Sequence, residues 1–211
     1  MAAAGLTTLW VIRAGDSLWH REGRLQGRAD LPLSPEGRGM VMADIANLIT
    51  SPVEGELRPS VIHHPPDEGA RETARLLAKA LGAKPRTAEE LAEPDLGLFD
   101  GITLAQFEER FPTRFRQWED EPLGLIPPDG EPFIDARSRV VGEVARLLRR
   151  RRGRHLGVVL HPTALAFLRA AFAKRRSGSL ADLVEGRPRI ERYLLPRDAP
   201  ERLLAACEAP L

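Results

Sequence analysis

At 211 residues the chain is long enough to bury a substantial apolar core, and it suits one domain over residues 1–211. Its 31 basic and 30 acidic residues leave a formal net charge of +1, which gives no global reason to expect nucleic acid or an anionic membrane as partner, so any basic site must be local. The single cysteine, Cys207, cannot close an internal disulfide, no apolar run reaches the ~18 residues of a membrane span, and residues 1–5 lack the basic start and apolar stretch of a signal peptide, so the expected location is cytoplasmic.

In chain order, Leu6 to Ile12 is a short apolar and β-branched run, predicted as a buried strand that leads into Arg13. Ser34-Pro35-Glu36-Gly37 sets a cap residue before proline at the first helical position, and Met40, Ala43, Ile45, Leu48 and Ile49 are expected on the buried face of that helix. Val61-Ile62 reads as the next strand. Gly69 to Leu81 forms an amphipathic helix with Ala70, Ala74, Leu77 and Ala80 near one face, Pro85-Arg86-Thr87 starts a short connection, and Pro94-Asp95-Leu96-Gly97 is a turn. Leu104 to Phe111 reads as a short helix stopped by Pro112, and the proline-rich stretch Glu121 to Gly130 as an irregular loop or lid. A longer helix is expected from Phe133 to Arg152; its tail, Arg149 to Arg152, reads as solvated charge complementing the helix dipole rather than as a polyanion patch. Leu156 to Leu160 is the strand that delivers His161, and Arg189 to Leu195 is the last strand. Strands alternating with helices predict a three-layer α/β/α sandwich on a mostly parallel sheet, with ligands outside the carboxyl ends of the strands, where Arg13, His64 and His161 lie.

The first strand is followed by Arg13-Ala14-Gly15, then by Glu22-Gly23-Arg24-Leu25-Gln26-Gly27 and Asp30-Leu31-Pro32-Leu33-Ser34. This series resembles the histidine phosphatase superfamily, also called phosphoglycerate mutase-like. Ala70-Arg71-Glu72-Thr73-Ala74 matches the helix after that family's second phosphate-binding loop, and Glu93, with Asp95-Leu96-Gly97 and Asp100-Gly101, matches the segment carrying its acid/base carboxylate. Asp129-Gly130-Glu131 with Arg139 resembles its Gly-Glu-Ser segment and the later arginine, and Val158-Val159-Leu160-His161 the strand bearing its second active-site histidine. The resemblance covers nearly the whole chain. It implies catalytic positions at Glu93 and His161, an anion contact at Arg13 with His20 and His64 close by, a phosphorylated or otherwise anionic small molecule as ligand, and no cofactor.

The departures concentrate in the implied pocket. The family start reads Arg-His-Gly, and its histidine takes the phosphoryl group; Ala14 stands there and has no lone pair with which to attack phosphorus. The stretch His63 to Ala74 places Pro65 at the family's serine and Gly69 at its second phosphate-binding arginine, while Asp67 and Glu68 add negative charge that opposes anion binding. His20 replaces the usual asparagine after Trp19, Pro132 replaces the serine of Gly-Glu-Ser, and Pro162 follows the second histidine where glycine is usual. Substitution of one residue to trap a complex accounts for Ala14 alone, not for Pro65, Gly69, Pro132 and Pro162.

Each candidate has a plainer role beside the functional one. Arg13 is either an anion contact or a salt-bridge partner of Glu93 or Asp67, and Glu93 is either an acid/base carboxylate or an acceptor for backbone amides or for Arg13. His63 and His64 are adjacent on a strand and point to opposite faces, so they do not chelate one ion, and no metal site is expected. Trp19 and Phe99 read as wall and core residues, since no basic stripe accompanies them to bind nucleic acid. Three functions follow: an impaired or non-catalytic protein that binds an anion weakly or acts through a partner; a phosphomonoesterase or mutase whose nucleophile has moved to His20 or His161, with Glu93 as proton donor; and an interaction module, as a homodimer or as partner of an active relative.

Overall fold

A computed structural model describes residues 6–50, 57–150, 155–173 and 179–208. Five strands build one sheet in the order β3-β2-β4-β1-β5, formed by β1 (Thr7–Arg13), β2 (Val61–His64), β3 (Lys84–Thr87), β4 (Leu156–Leu160) and β5 (Ile190–Leu195). The first four run parallel, and only β5 lies antiparallel, against β1. The carboxyl ends of β1, β2 and β4 therefore share one edge, which brings Arg13, His64 and His161 to the same side of the sheet.

The helices are α1 (Leu18–Arg21), α2 (Pro35–Thr50), α3 (Glu68–Leu81), α4 (Leu104–Arg110), α5 (Pro112–Asp120), α6 (Phe133–Arg150), α7 (Pro162–Ala173) and α8 (Ala199–Glu208). They flank the sheet because β1 alternates its side chains between two cores. Leu9 and Val11 pack with Val158 and Leu160 against α6, α7 and α8, while Trp10 and Ile12 pack with Ile62 and Val159 against α2 and α3. Burying each such side chain is worth roughly 1.5–3 kcal/mol. A third cluster, Phe99, Phe107, Phe133 and Phe167, sits beneath α4 and the start of α6, with the Phe99 and Phe107 rings 4.4 Å apart.

The structure differs from the sequence expectation at several elements. On α2 the buried residues are Gly37, Val41, Ile45 and Leu48, whereas Met40, Ala43 and Ile49 are exposed. The face is set by Gly37, since a Cβ there would run into the Asp16 carbonyl and only glycine lets the helix approach the Arg13 loop. Pro85-Arg86-Thr87 belongs to a strand, not a connection; β3 is an edge strand with every side chain exposed, so it carries no apolar signal, and an edge tolerates proline. Pro112 stops α4 but also opens α5, occupying a first-turn position where its missing N–H costs nothing. Glu121 to Gly130 is an irregular loop, as expected, but it packs against the body instead of standing open as a lid: it contains one 3₁₀ turn, Pro122–Gly124, and buries Pro122, Leu123 and Leu125. The last two residues of the Arg149–Arg152 run, and residues 1–5, lie outside the described residues. Among the described residues, no helix is long and apolar enough to cross a membrane.

Candidate active site

The loop after β1 is fixed by its backbone. Ala14 N donates to Leu160 O at 2.9 Å, Gly15 N to Thr73 Oγ1 at 3.1 Å, and Ser34 N to Asp16 O at 2.9 Å. From behind, Arg189 donates through Nη2 to Ala14 O at 2.9 Å while its Nε binds Asp44 at 3.0 Å. The Ala14 methyl is buried, in the cluster shared with Ile12, Val41 and Ala70. The Arg13 guanidinium neither reaches Glu93 nor Asp67 by a hydrogen bond; its partner is Asp16, with Nη2 to Oδ1 at 3.1 Å, and its buried Nε has no hydrogen-bond partner.

His161 follows β4 and is buried. Its Nε2 lies 2.9 Å from Asp67 Oδ1, so this nitrogen carries a proton and donates, while Nδ1 has no hydrogen-bond partner. The same Asp67 oxygen accepts Ala70 N at 2.9 Å as the N-cap of α3. Burial works against the Asp67 anion, but the charge and hydrogen bond of His161, with the Ala70 amide, outweigh it and hold its pKa below the ordinary value. For His161 the balance is reciprocal: burial disfavours the imidazolium, yet Asp67 first, then Glu93 and Asp16, raise its pKa.

Glu93, also buried, spreads its carboxylate over the first free amides of α7: Thr163 N donates to Oε1 and Ala164 N to Oε2, each at 2.7 Å. Pro162 offers no N–H, so these two amides are what that helix end presents. Complete desolvation raises the Glu93 pKa despite the opposing pull of His161 and the amides. Its main chain is anchored by Arg139, which also grips Glu131 in a two-pronged bridge of 2.9 and 2.8 Å. Arg28 joins Glu131 at 3.0 Å.

The other two imidazoles serve local structure. His20 completes a reciprocal cap on α1: its amide donates to Ser17 Oγ, and its Nδ1 accepts from the Ser17 amide at 3.4 Å. Its ring stacks on His161 with centroids 6.1 Å apart. Burial, and secondarily the His161 charge, lower its pKa to about 4, leaving it neutral. His64 donates from Nδ1 to Pro65 O at 2.7 Å, and burial lowers its pKa.

The structure thus gathers Arg13, Ala14, His20, Glu93 and His161 in one neighbourhood, with His64 on the Asp67 side. Sequence reasoning missed the Arg13–Asp16 pair and the Arg189 clamp, and it named Asp67 without its partner; only the sheet order, which sets β4 beside β1 and β2, brings residues 67 and 161 together. A cleft of about 230 Å³ opens beside the site, lined among others by Arg28, Asp30, Asp67 and Glu93. It falls below the ~300–1,000 Å³ of small-molecule pockets and suits only a small group. Among the described residues, no three His, Cys, Asp or Glu side chains are grouped to hold a metal ion.

This arrangement can be placed among known proteins. The family model described as histidine phosphatase superfamily (branch 1) matches residues 9–184. The chain belongs to the histidine phosphatase superfamily. It is 27% identical to phosphoserine phosphatase 1 of Hydrogenobacter thermophilus over 156 residues, 74% of this chain and 71% of that protein. It is 29% identical to the bifunctional protein Rv2228c of Mycobacterium tuberculosis over 171 residues, 77% of this chain but only 43% of that longer protein. Among solved structures, Bacillus stearothermophilus YhfR superposes with a TM-score of 0.71 at 30% identity, covering 86% of this chain and 85% of that one. The mycobacterial glucosyl-3-phosphoglycerate phosphatase Rv2419c does so at 0.67 and 27%, covering 84% and 83%. The mostly parallel sheet flanked by helices is the fold of these superfamily neighbours.

Proposed function

We propose that this histidine phosphatase superfamily member is non-catalytic or severely impaired, and that it binds an anionic ligand weakly or acts through a protein partner, in the cytoplasm and apart from nucleic acid and membranes. Ala14 sits where the resemblance puts the phosphoryl-accepting histidine, and alanine offers no lone pair. The observation that carries the reading is the engagement of His161 Nε2 by Asp67, His20 Nδ1 by Ser17, His64 Nδ1 by Pro65 O, and both Glu93 oxygens by the amides of α7. At Gly69, the position of the family's second phosphate-binding arginine, a Cβ would lie 3.0 Å from Leu31 O, so the loop has closed onto the glycine. The names of the relatives, phosphoserine and glucosyl-3-phosphoglycerate phosphatases, make small phosphomonoesters the first ligands to test.

Loss of a nucleophile commonly costs ~10⁴-fold or more in turnover, and further losses add little once the unit is broken. Turnover of p-nitrophenyl phosphate is therefore expected to equal that of a His161→Ala control, and Ala14→His is expected to recover little, because the second loop remains altered. Wild-type turnover clearly above the control overturns the reading. Substantial recovery in Ala14→His would show that the rest of the pocket is competent and would end the claim of a degenerate site.

A second reading, a displaced nucleophile, draws on one observation: His20 is held neutral, as an attacking imidazole must be, beside His161 and near a Glu93 whose raised pKa suits a proton donor. It requires His20 to release Ser17. Phosphohistidine trapped at residue 20 by rapid acid-free quenching and mass spectrometry would favour it over the first reading.

A further inference from the structure

We propose that Asp67 determines what this site refuses: its carboxylate is a resident anion, lodged between His161 and the N-terminus of α3 in the place an incoming phosphoryl oxygen would need. The inference rests on reading the site as an altered phosphate pocket, and it adds the residue that closes it.

A helix N-terminus and a buried imidazolium each attract an anion, and together they make a strong oxyanion position. In this protein one oxygen, Asp67 Oδ1, takes both, at 2.9 Å from His161 Nε2 and 2.9 Å from Ala70 N. The carboxylate is covalently tethered, so it pays none of the translational entropy that a free ligand loses on binding. A phosphate must displace it, desolvate beside its charge and find a new partner for it. The rest of the site does not compensate. Arg13 is engaged by Asp16, the α7 N-terminus by Glu93, and Arg28 at the cleft mouth by Glu131. Two buried nitrogens, Arg13 Nε and His161 Nδ1, are left without hydrogen-bond partners, so unmet donors remain for an acceptor once the Asp67 charge is removed.

The test is Asp67→Ser, since serine still caps α3 but removes the charge and shortens the side chain. Inorganic phosphate binding is read by isothermal calorimetry, with folding checked by thermal melt. Wild type is expected to bind no tighter than about millimolar, and Asp67→Ser roughly ten- to a hundredfold tighter, the value of a charge-assisted hydrogen bond released to the ligand. The double variant Asp67→Ser/His161→Ala is expected to lose that gain, since His161 Nε2 is one of the two donors of the vacated place. Unchanged affinity in folded Asp67→Ser overturns the proposal, as does a gain that survives removal of His161, because phosphate would then sit elsewhere. If Asp67→Ser fails to fold, Asp67→Asn decides by the same readout, with tighter phosphate binding supporting the proposal and none overturning it. Wild-type phosphatase turnover would instead strike at the non-catalytic reading, and leaves these affinities to be judged separately.

Discussion

Two helices, α3 and α7, direct their N-termini at one site, and a carboxylate caps each of them, yet the two carboxylates are pushed in opposite directions. Glu93 reaches α7 from 70 residues upstream and meets the Thr163 and Ala164 amides together with the Thr163 side chain; burial nevertheless raises its pKa. Asp67 caps its own helix and meets one amide and His161; its pKa falls. Burial opposes both anions. His161 favours both as well, but only Asp67 receives its hydrogen bond at 2.9 Å. A helix end therefore does not by itself set the direction in which its capping carboxylate is pushed: complete burial raises Glu93, while the His161 bond outweighs the lesser burial of Asp67.

The sharpest way to break this comparison is to remove each cap in turn. Glu93→Ala orphans the part-buried Thr163 amide and the buried Ala164 amide, each costing roughly 1–3 kcal/mol, so a loss of about 3 kcal/mol is expected in urea denaturation. Asp67→Ala is expected to cost about 2 kcal/mol, the value of a cap plus part of the ion pair, because His161 can shed its proton rather than stay buried and charged. The reverse order would show that the His161 bond, not the amides, dominates.

The pH dependence sharpens it next. Asp67 has a lowered folded pKa, so its contribution is present above the unfolded carboxylate pKa and is lost as pH falls through the folded value. His161 has a raised folded pKa; its contribution is present below 6.5 and is lost as pH rises through the folded value. His20, lowered to about 4, contributes above 6.5 and loses this as pH falls towards 4. Stability should thus peak near neutrality. Asp67→Asn should lower the His161 pKa, as seen by NMR titration, and should flatten the alkaline decline, because Asp67 is the largest cause that raises it. A His161 pKa unmoved by that change would assign its shift to Glu93 and Asp16 instead.

Much of this was legible in the chain. Continuous apolar runs such as Leu156 to Leu160 and the Ser34-Pro35 helix start carry their own signals, and Ser34 Oγ indeed caps Gly37 N at 2.9 Å. The family motifs pointed to Arg13, Glu93 and His161. The illegible parts are those that a local pattern does not encode. β3 is an exposed edge with no apolar period, and the face of α2 is dictated by a backbone contact between Gly37 and Asp16. His20 acts as the reciprocal partner of Ser17, in place of the Glu or Gln that a capping box usually shows. The Asp67–His161 pair spans 94 residues and exists only because of strand order.

The smallest effect belongs to the third carboxylate of the site, Asp16, which binds a cation but caps no helix. Its bridge to Arg13 joins side chains 25% and 15% exposed, and pairs open to solvent are worth about 0–1 kcal/mol. Removing the guanidinium also leaves the loop's own bonds in place, since Leu160 O, Thr73 Oγ1, Ser34 N and Arg189 hold its backbone independently. Arg13→Ala should therefore change stability by less than about 1 kcal/mol, measured beside Glu93→Ala under the same urea conditions. A loss above about 2 kcal/mol would mean that the buried Nε of Arg13 packs or bonds where the geometry gives it no partner, and that cations at this site matter to the fold as much as helix ends do.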